Sequence, residues 1–325
     1  MAGAPTGGAE LFYERLALAQ SDAGVAVLPI MRTNAGRADH LAALNPVQLP
    51  FGGPMDLLTS LLVRRALRRF APDVVVGWMS RGAAACRPGP WVLAGRLGGY
   101  YDLKYYRRCQ HLIGNTAGIV DWIRGQGWDP ARVHHLPNFA PDLLGASPAV
   151  LPVPDGAPTV LALGRLHRNK AFDVLLRAMP LLPGVHLAIA GTGPEHAALL
   201  ALAERLGVAD RVHLLGWRAD TGALLAAARV LVCPSRHEPL GNVVLEAWSA
   251  ARPVVAADAA GPSELIRPGL DGLLVPRENA PALADALRTA LQPNGLGAAG
   301  RARYLAEFAT APVLAQWADT LGRLG

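Results

Sequence analysis

Residues 229–258, RVLVCPSRHEPLGNVVLEAWSAARPVVAAD, contain two short apolar runs with one helical pattern between them. The runs at 229–235 and 252–258 have the length and the β-branched content of buried strands. A helix between two buried strands predicts a parallel β-α-β unit, because parallel neighbours need a long crossover connection. Glu238 interrupts this stretch in the loop, and Glu246 interrupts it in the helix.

The same alternation of apolar runs and helical patterns continues outward from this unit. In the second half of the chain the further runs lie at 160–164, 185–191, 211–216 and 271–275, and the first half shows a weaker version. The sequence therefore predicts an α/β protein with two Rossmann-like, doubly wound domains facing a central cleft. The length of 325 residues suits two domains, and the proline-rich segment 147–158 places their boundary, giving domains 1–150 and 151–325.

Composition narrows the class of protein. Apolar residues make up 51% of the chain and charged residues 17%, which predicts a packed globular protein. Cys86, Cys109 and Cys233 are widely spaced and form no CxxC pair, which favours a reduced compartment and disfavours a zinc site. The chain has neither a long apolar span nor an export signal. We therefore expect a cytoplasmic protein.

Positive charge is concentrated in the first half. Residues 1–150 have 15 Lys and Arg against 10 Asp and Glu, whereas residues 151–325 have 16 against 15. The densest run, RRALRRF at 64–70, follows an apolar stretch and predicts an amphipathic helix. Two interpretations remain open for its basic face, a solvated surface and a peripheral contact with an anionic membrane at the inner face of the cell membrane. Sparse aromatic residues and the absence of a nucleic-acid-binding motif argue against a nucleic-acid partner.

The common nucleotide fingerprints are incomplete. GTGPEH (191–196) has His196 where a dinucleotide-binding loop needs its third glycine, and GAPTGGA (3–9) has Ala9 where a P-loop needs lysine. The sequence lacks an Asp-x-Asp pair, and its histidines do not have the spacing of metal ligands. It therefore predicts no metal site. We expect neither a metal nor another cofactor.

Other features supply positive charge for a phosphate ligand. Arg165, Arg168 and Lys170 follow the apolar run at 160–164, so they lie at the carboxyl end of a predicted strand. The helix that begins near Gly241 has free N–H groups and a positive dipole end. The Gly7-Gly8 turn before the first helix offers a similar anion site in the other domain.

Five segments in order resemble glycosyltransferase family 4, whose members are retaining enzymes of the GT-B fold. The segments are GRLHRNKAFDVLLRAM, HLAIAGTGPE, RVHLLGW, CPSRHEPLGNVVLEAWSAARPVVAAD and GPSELIRPGLDGLLVP. The likeness is strong over 158–290 and weaker over 7–10 and 111–139. Its most specific part is the E-x7-E pair with an upstream arginine and lysine.

The resemblance implies roles for the site residues. Glu246 would accept hydrogen bonds from the ribose hydroxyls of the donor, and Glu238 would contact the hydroxyls of the donor sugar. Arg165 and Lys170 would bind the diphosphate. We take Glu238, Arg165 and Lys170 as the candidate catalytic residues. Other residues would contact the donor, chiefly through the backbone: Gly7, Gly8, Gly191, Gly193, Leu240, Gly241, Asn242 and Val243.

The chain departs from the family pattern in two places. Residues 91–108 contain no histidine where the family commonly has one near the transferred sugar. Arg96, Tyr100, Tyr101 and Lys104 occur there instead, as candidates for the acceptor side or for packing. Segment 1–10 leaves little room for the usual first strand, so we expect that strand to be short or absent. The segment at about 304–325 resembles the family's last helix, which returns to the first domain.

The implied activity is metal-independent, retaining transfer of a hexose-type sugar from a nucleoside diphosphate sugar to a glycan or lipid-linked acceptor. Lipopolysaccharide core assembly is one setting that suits the basic first domain. Two alternatives remain open: a sugar-nucleotide epimerase or phosphorylase of the same fold, and a non-catalytic sugar-nucleotide-binding subunit.

Overall fold

The fold is described from a computed structural model, which describes Met1 and residues 7–52 and 56–324. Contacts within the chain divide it into two compact units. Unit 1 comprises Met1–Phe139 and Thr310–Gly325, and unit 2 comprises Ala140–Ala309.

Unit 1 contains two parallel sheets in its described part. Its strands are β1 (Ile30–Arg32), β2 (Val47–Leu49), β3 (Val74–Trp78), β4 (Val92–Leu97), β5 (His111–Gly114) and β6 (Val133–His135). Its first helices are α1 (Gly8–Asp22), α2 (Ala35–His40), α3 (Leu57–Phe70), α4 (Met79–Ala85) and α5 (Ala117–Gly125). β1 pairs with β2, and the other four strands form a sheet in the order β3-β4-β5-β6.

Helix α3 is the predicted amphipathic basic helix. The Asp56 carboxylate accepts a hydrogen bond from the Thr59 N–H at 2.8 Å and caps its first turn. Val63 and Leu67 are buried, whereas Leu58 and Leu61 are more than half exposed. The described residues include no helix with both the length and the apolar content that a membrane crossing needs.

Unit 2 has one continuous parallel sheet. Its strands are β7 (Thr159–Leu163), β8 (His186–Ala190), β9 (Val212–Leu214), β10 (Val230–Cys233), β11 (Val254–Ala257) and β12 (Leu273–Val275). Its helices are α6 (Phe172–Ala178), α7 (His196–Arg205), α8 (Thr221–Ala227), α9 (Asn242–Ser249), α10 (Ala260–Leu265), α11 (Ala280–Ala290) and α12 (Leu296–Arg303). The strand order is β12-β11-β10-β7-β8-β9.

Both faces of this sheet are covered by apolar side chains. In β7, Val160 and Ala162 pack into the core on one face and Leu161 packs into the core on the other. β10 repeats the alternation, with Val232 on the first face and Leu231 on the second. Burial on both faces explains why the strands are continuous apolar runs in the sequence.

The boundary between the units lies earlier than predicted. The prediction placed it at 150, but residues from Ala140 onward belong to unit 2. Ala140 is buried in the unit 2 core, and Leu143 and Leu151 pack against that core; the Ala149 N–H donates to the Ala223 carbonyl at 2.9 Å. The proline-rich segment therefore covers unit 2, and its composition misplaced the boundary.

The predicted last helix at about 304–325 is two elements. Tyr304–Phe308 is a π-helical turn in unit 2, where the Tyr304 hydroxyl donates to the Ala140 carbonyl at 3.0 Å. The chain becomes extended at Ala309, and α13 (Thr310–Leu324) then packs on unit 1. Trp317, 1% exposed, is buried in the unit 1 core.

Unit 1 contains a cavity of about 730 Å³ alongside β3, which is an edge strand of its sheet. Its other walls come from α1, α3, α13 and the irregular segment 25–29. Near it, the Met1 amino group donates to the Ile30 carbonyl at 2.6 Å, and the Arg32 N–H donates to the Met1 carbonyl at 2.8 Å. Met1 thus bonds to β1 as a parallel strand does. The prediction about the first strand otherwise falls on residues 2–6, outside the described residues.

Candidate active site

The strand order of unit 2 reverses between β7 and β10. From β7 the chain adds β8 and β9 on one side, and from β10 it adds β11 and β12 on the other. The loops after β7 and β10 therefore leave the sheet side by side at its carboxyl edge, the position where open α/β sheets bind ligands. These loops contain the predicted residues Lys170 and Glu238.

Lys170 Nζ and Glu238 Oε2 form an ion pair. The Ser235 hydroxyl donates to the same carboxylate oxygen at 3.4 Å. Burial alone would lower the pKa of Lys170, but the Glu238 carboxylate outweighs burial and the pKa is raised. Lys170 is therefore a cation at neutral pH, available to an anion at the carboxyl edge.

The predicted glycines Gly191 and Gly193 let the loop after β8 approach the loop after β7. A Cβ at Gly191 would lie 1.9 Å from the Gly164 carbonyl oxygen, and a Cβ at Gly193 would lie 2.3 Å from the Leu166 carbonyl oxygen. Gly164 adjoins the lysine, since a Cβ there would lie 3.1 Å from Lys170 Cε. Because Gly191 and Gly193 have no side chains, the backbone of the loop after β8 can lie against the loop that contains Lys170.

Helix α9 begins beside Glu238. Its N-cap, Gly241, has φ 89°, in the left-handed region that favours glycine. A Cβ at Gly241 would lie 3.7 Å from Glu238 Cγ, so the start of the helix adjoins the carboxylate. Gly241 offers no side chain to cap the first turn, which begins with Asn242 and Val243. The arrangement is suited to an anionic ligand group at the N–H groups of this turn.

The backbone before α9 is contacted by the first turn of α10, which follows β11. Leu240 is buried, and a Cβ at Gly261 would lie 2.3 Å from its carbonyl oxygen. Gly261 N–H donates to the Glu238 carbonyl at 2.8 Å. The main chain of Gly261 therefore contacts both Glu238 and Leu240.

Glu246 lies on α9, one turn after Asn242, in the apolar setting that the sequence indicates. Its own side chain is half-buried, while Val244, Leu245 and Trp248 around it are buried. Residues four apart share a helix face, so Glu246 follows the first turn of α9 on the face of Asn242.

Arg165 and Arg168 are both exposed on the loop after β7. Among the described residues, neither arginine side chain has an ion-pair partner. Arg168 contributes its carbonyl oxygen, which accepts a hydrogen bond from Arg236 Nη1 at 2.7 Å. Two exposed cations therefore accompany the partly buried Lys170.

Arg236 is the residue that sequence reasoning missed. Its guanidinium bonds to the carboxylates of both Asp173 and Glu278, which follow other strands of the sheet. The available signal was a single arginine next to the predicted Glu238, inside a loop with apolar flanks. Neither partner could be identified from sequence spacing, because each is separated from Arg236 by tens of residues.

In unit 1 helix α1 starts at the predicted glycines, with Gly7 as its N-cap and Gly8 as its first residue. Gly7 has an extended backbone, and a Cβ there would lie 2.5 Å from Glu10 Oε2. Glu10 is buried in the first turn, whereas Gly8 is exposed. A carboxylate thus occupies the space above Gly7, and the donor role of both glycines stays a prediction.

Arg96, one of the predicted acceptor-side residues, is buried, with 2% of its surface exposed. Its Nη2 donates to Asn138 Oδ1 at 2.5 Å, and its guanidinium lies 4.5 Å from the Trp78 ring centre and 4.8 Å from that of Phe12. Burial lowers the pKa of this guanidinium. In this structure Arg96 packs in the core of unit 1, which agrees with the packing alternative of the prediction; its acceptor role stays a prediction.

The remaining acceptor-side candidates lie nearer the surface. Tyr100 is 46% exposed and meets the Trp122 ring edge-on at 5.5 Å. Tyr101 is half-buried, and Lys104 Nζ is exposed and pairs with Asp102 at 2.7 Å. Their acceptor role stays a prediction.

Within residues 7–52 and 56–324 no three His, Cys, Asp or Glu side chains converge as a metal site would require. The expectation of metal-independent chemistry stays a prediction.

Comparison with known proteins identifies related sequences. The family model for Glycosyl transferases group 1 matches residues 157–293. The lipopolysaccharide core biosynthesis glycosyltransferase LpsE of Rhizobium meliloti (strain 1021) is 36% identical over 299 residues, covering 89% of this chain and 87% of LpsE. LpsD of the same strain is 32% identical over 292 residues, covering 87% of this chain and 84% of LpsD.

Solved structures share the whole fold at low identity. Anabaena Alr3699/HepE in complex with UDP and glucose superposes with a TM-score of 0.82 at 22% identity, covering 98% of this chain and 97% of that one. The lipopolysaccharide outer core galactosyltransferase WaaB, in its apo form, gives a TM-score of 0.77 at 16% identity, covering 99% and 97%. These neighbours confirm the predicted GT-B fold class.

Proposed function

Because the chain belongs to the glycosyl transferases of group 1, we propose that it moves a hexose-type sugar from a nucleoside diphosphate sugar to a hydroxyl of a glycan or lipid-linked acceptor. Retention of anomeric configuration and independence of metal, as in glycosyltransferase family 4, are part of the proposal. The observation that carries it is the Lys170–Glu238 pair at the switch point of unit 2, beside the first turn of α9. A cation, a carboxylate and the positive end of a helix match the phosphate and hydroxyl groups of such a donor.

In this proposal different residues of unit 2 bind different parts of the donor. Lys170 and Arg165 bind the diphosphate, with the first turn of α9 and the backbone of 240–243. Glu238 leaves Lys170 for the hydroxyls of the sugar, and Glu246 accepts from the ribose. The glycines at 191 and 193 contact the donor through their backbone, beside the loop after β7 that contains Lys170.

The proposed transfer needs no nucleophile from the protein. The bond between the anomeric carbon and the diphosphate oxygen breaks, and its electron pair goes to the diphosphate, whose charge Lys170 and Arg165 stabilise. The acceptor oxygen bonds to the same carbon on the same face, and its proton passes to the departing phosphate oxygen. Attack on that face retains the configuration.

Calorimetric titration with UDP, GDP, ADP and their sugars tests the donor site. HepE was solved with UDP, so UDP is the first probe. We expect one nucleotide to bind, and Lys170→Ala and Glu246→Ala each to weaken binding by about 1.5–3 kcal/mol, because each removes a hydrogen bond to a charged group. Arg288→Ala is the matched control, since Arg288 pairs with Asp285 on α11. Absence of binding by every nucleotide, or unchanged affinity in both site variants, would contradict the proposal.

The proposed acceptor is a lipid-linked lipopolysaccharide core glycan, reached by peripheral contact of the cytoplasmic protein with the inner face of the membrane. LpsE and LpsD are named as lipopolysaccharide core biosynthesis glycosyltransferases, which supports this substrate class. Helix α3 supplies a surface of suitable chemistry, with two exposed leucines, Leu58 and Leu61, and exposed arginines at Arg64, Arg65, Arg68 and Arg69.

Sedimentation with lipid vesicles tests the membrane contact. We expect binding to vesicles rich in phosphatidylglycerol and little binding to pure phosphatidylcholine, with a decrease as salt rises. Replacing the four exposed α3 arginines by glutamine is expected to abolish the difference while UDP affinity stays unchanged. Equal sedimentation of wild type and variant would contradict a role for α3.

A further inference from the structure

The Arg236 guanidinium uses all three of its nitrogens. Nη1 and Nη2 donate to the two carboxylate oxygens of Asp173 at 2.7 and 2.8 Å. Nε and Nη2 donate to the Glu278 carboxylate, the latter at 3.0 Å. Nη1 also donates to the Arg168 carbonyl at 2.7 Å. With these partners the guanidinium is already saturated by protein groups.

These bonds join three loops at the carboxyl edge of the unit 2 sheet. Arg168 and Asp173 flank Lys170 after β7, Arg236 precedes Glu238 after β10, and Glu278 follows β12. The main chain adds to the connection, since the N–H of Arg236 donates to the Asn169 carbonyl at 2.8 Å. Three loops that share no sequence neighbourhood thus meet at one side chain.

Two of the joined loops have backbone that needs support. Ala171, directly after Lys170, has φ 53°, and Glu278 has φ 61°. Left-handed backbone is unfavourable for residues other than glycine and persists where surrounding contacts hold it. The bonds of Arg236 lie on both sides of Ala171 and on Glu278 itself, so they are placed to hold both conformations.

The ion pair between Arg236 and Asp173 is partly shielded from solvent. The arginine side chain is 24% exposed and that of Asp173 is 31% exposed. Burial alone would raise the pKa of Asp173, but the bonds from Arg236 outweigh it and the pKa is lowered. A two-bond arginine–carboxylate contact fixes direction as well as distance, which a lysine in its place could not do.

We propose that Arg236 is a positioning residue for the donor site: by joining the three loops it holds Lys170 and Glu238 where a nucleoside diphosphate sugar can bind both. This inference rests on the proposed function for its ligand. Arg236 itself has no remaining polar group for the donor, so its effect on binding passes through Lys170 and Glu238.

UDP titration of Arg236 variants tests the proposal. We expect Arg236→Ala to weaken UDP binding by about tenfold or more, because Lys170 is no longer held. Arg236→Lys should recover only part of the loss, since one ammonium cannot bridge two carboxylates and a carbonyl. The control Arg288→Ala removes an exposed arginine–aspartate pair of unit 2 and should bind as wild type does.

The double variant Arg236→Ala/Lys170→Ala separates positioning from general weakening. UDP lacks the sugar that Glu238 would bind, so Arg236 should affect UDP through Lys170, and the double variant should bind about as weakly as Lys170→Ala alone. Additive losses would overturn the proposal, and so would wild-type affinity in Arg236→Ala.

Hydrogen exchange without ligand gives a readout that does not depend on the proposed function. In Arg236→Ala, the amides of 168–173 and 276–279 should exchange faster than in wild type, while those of β8 keep their rates. Unchanged exchange in both loops would overturn the positioning role. Failure of wild type to bind any nucleotide diphosphate would instead remove the proposed function.

Glu278→Gln covers the case in which Arg236→Ala does not fold. The Glu278 side chain is 54% exposed, so its replacement leaves the core unchanged while it removes one charged partner of Arg236. A smaller loss of UDP affinity, with faster exchange at 276–279, is expected. Wild-type values for both measurements would overturn the proposal.

Discussion

The two units differ in how completely their sheets are built. Unit 2 has one sheet of six parallel strands with apolar cores on both faces, whereas the described part of unit 1 has a four-stranded and a two-stranded sheet with a large cavity beside β3. Lys170 and Glu238, the central donor candidates, lie in unit 2 on the loops after β7 and β10, and a close backbone approach joins the loops after β7 and β8. Close packing of these loops holds Lys170 and Glu238 in place. The contrast with the unit 1 cavity predicts that a larger side chain destabilises unit 2 and stabilises unit 1.

The largest effect is expected where two loops of unit 2 touch. Gly191→Ala would place a Cβ 1.9 Å from the Gly164 carbonyl oxygen, on backbone with φ 156°. We expect a loss of about 3 kcal/mol in the free energy of unfolding, at the upper end of overpacking costs, and loss of UDP binding.

Gly125→Ala in unit 1 is the matched control, because among the described residues no atom outside its chain neighbours and its own helix backbone lies within 4 Å of the added Cβ. Gly125 is the last residue of helix α5, so this change should leave stability unchanged or raise it slightly. Thermal unfolding with and without UDP checks both variants. Equal stability of the two would contradict the tight packing of the unit 2 loops.

A smaller effect of opposite sign in the two units is expected from alanine-to-leucine changes. Ala162 is fully buried between strands and helices of unit 2, so Ala162→Leu should destabilise by about 1–3 kcal/mol. Ala17 lines the unit 1 cavity, so Ala17→Leu should stabilise by up to about 2 kcal/mol through added apolar burial. Urea unfolding of each variant measures both changes. Destabilisation by Ala17→Leu would show that the cavity cannot accept a side chain.

The smallest effect is expected on the pH dependence of stability, which should be similar in the two units. Each has a cross-strand histidine pair: His111 Nδ1 lies 3.0 Å from His134 Nε2, and His186 Nδ1 lies 3.2 Å from His213 Nε2. Burial, and then the neighbouring ring, lowers the pKa of both His134 and His213. Because the pKa of each histidine is lower in the folded protein, the unfolded chain binds more protons than the folded one as the pH falls. The contribution of these histidines to the free energy of unfolding is therefore complete above about pH 6.5 and is lost below it.

Glutamine variants measure this contribution. His134→Gln and His213→Gln should each reduce the fall in Tm between about pH 7.5 and pH 5, because each removes one depressed titration. The two reductions should be similar in size. A fall as steep as that of wild type in both variants would exclude the histidine pairs as its cause.

Most of unit 2 could be predicted from the sequence, because its strands are apolar on both faces and its helices separate them regularly. The positions of Lys170 and Glu238 at strand ends followed from the same pattern. Their ion pair did not, since the sequence gives no distance between loops after β7 and β10. Arg236 was missed for the same reason: its partners lie on loops that only the strand order brings together.

Unit 1 was predicted less well because its signals are local and ambiguous. The proline-rich segment indicated a boundary at 150, but apolar residues within it pack on unit 2. The last segment reads as one helix, although the chain leaves unit 2 at Ala309. Arg96 follows the apolar run 91–95 as a site residue would, yet it lies within β4 and contacts with Asn138, Trp78 and Phe12 bury it.

Hydrogen exchange in the presence and absence of UDP tests most directly whether unit 2 holds the donor at its switch point. We predict that UDP slows exchange in the loop 164–170 and in 238–246, and that this protection disappears in Lys170→Ala at the same UDP concentration. Protection confined to other segments, with the loops after β7 and β10 unchanged, would contradict the assignment of the donor site.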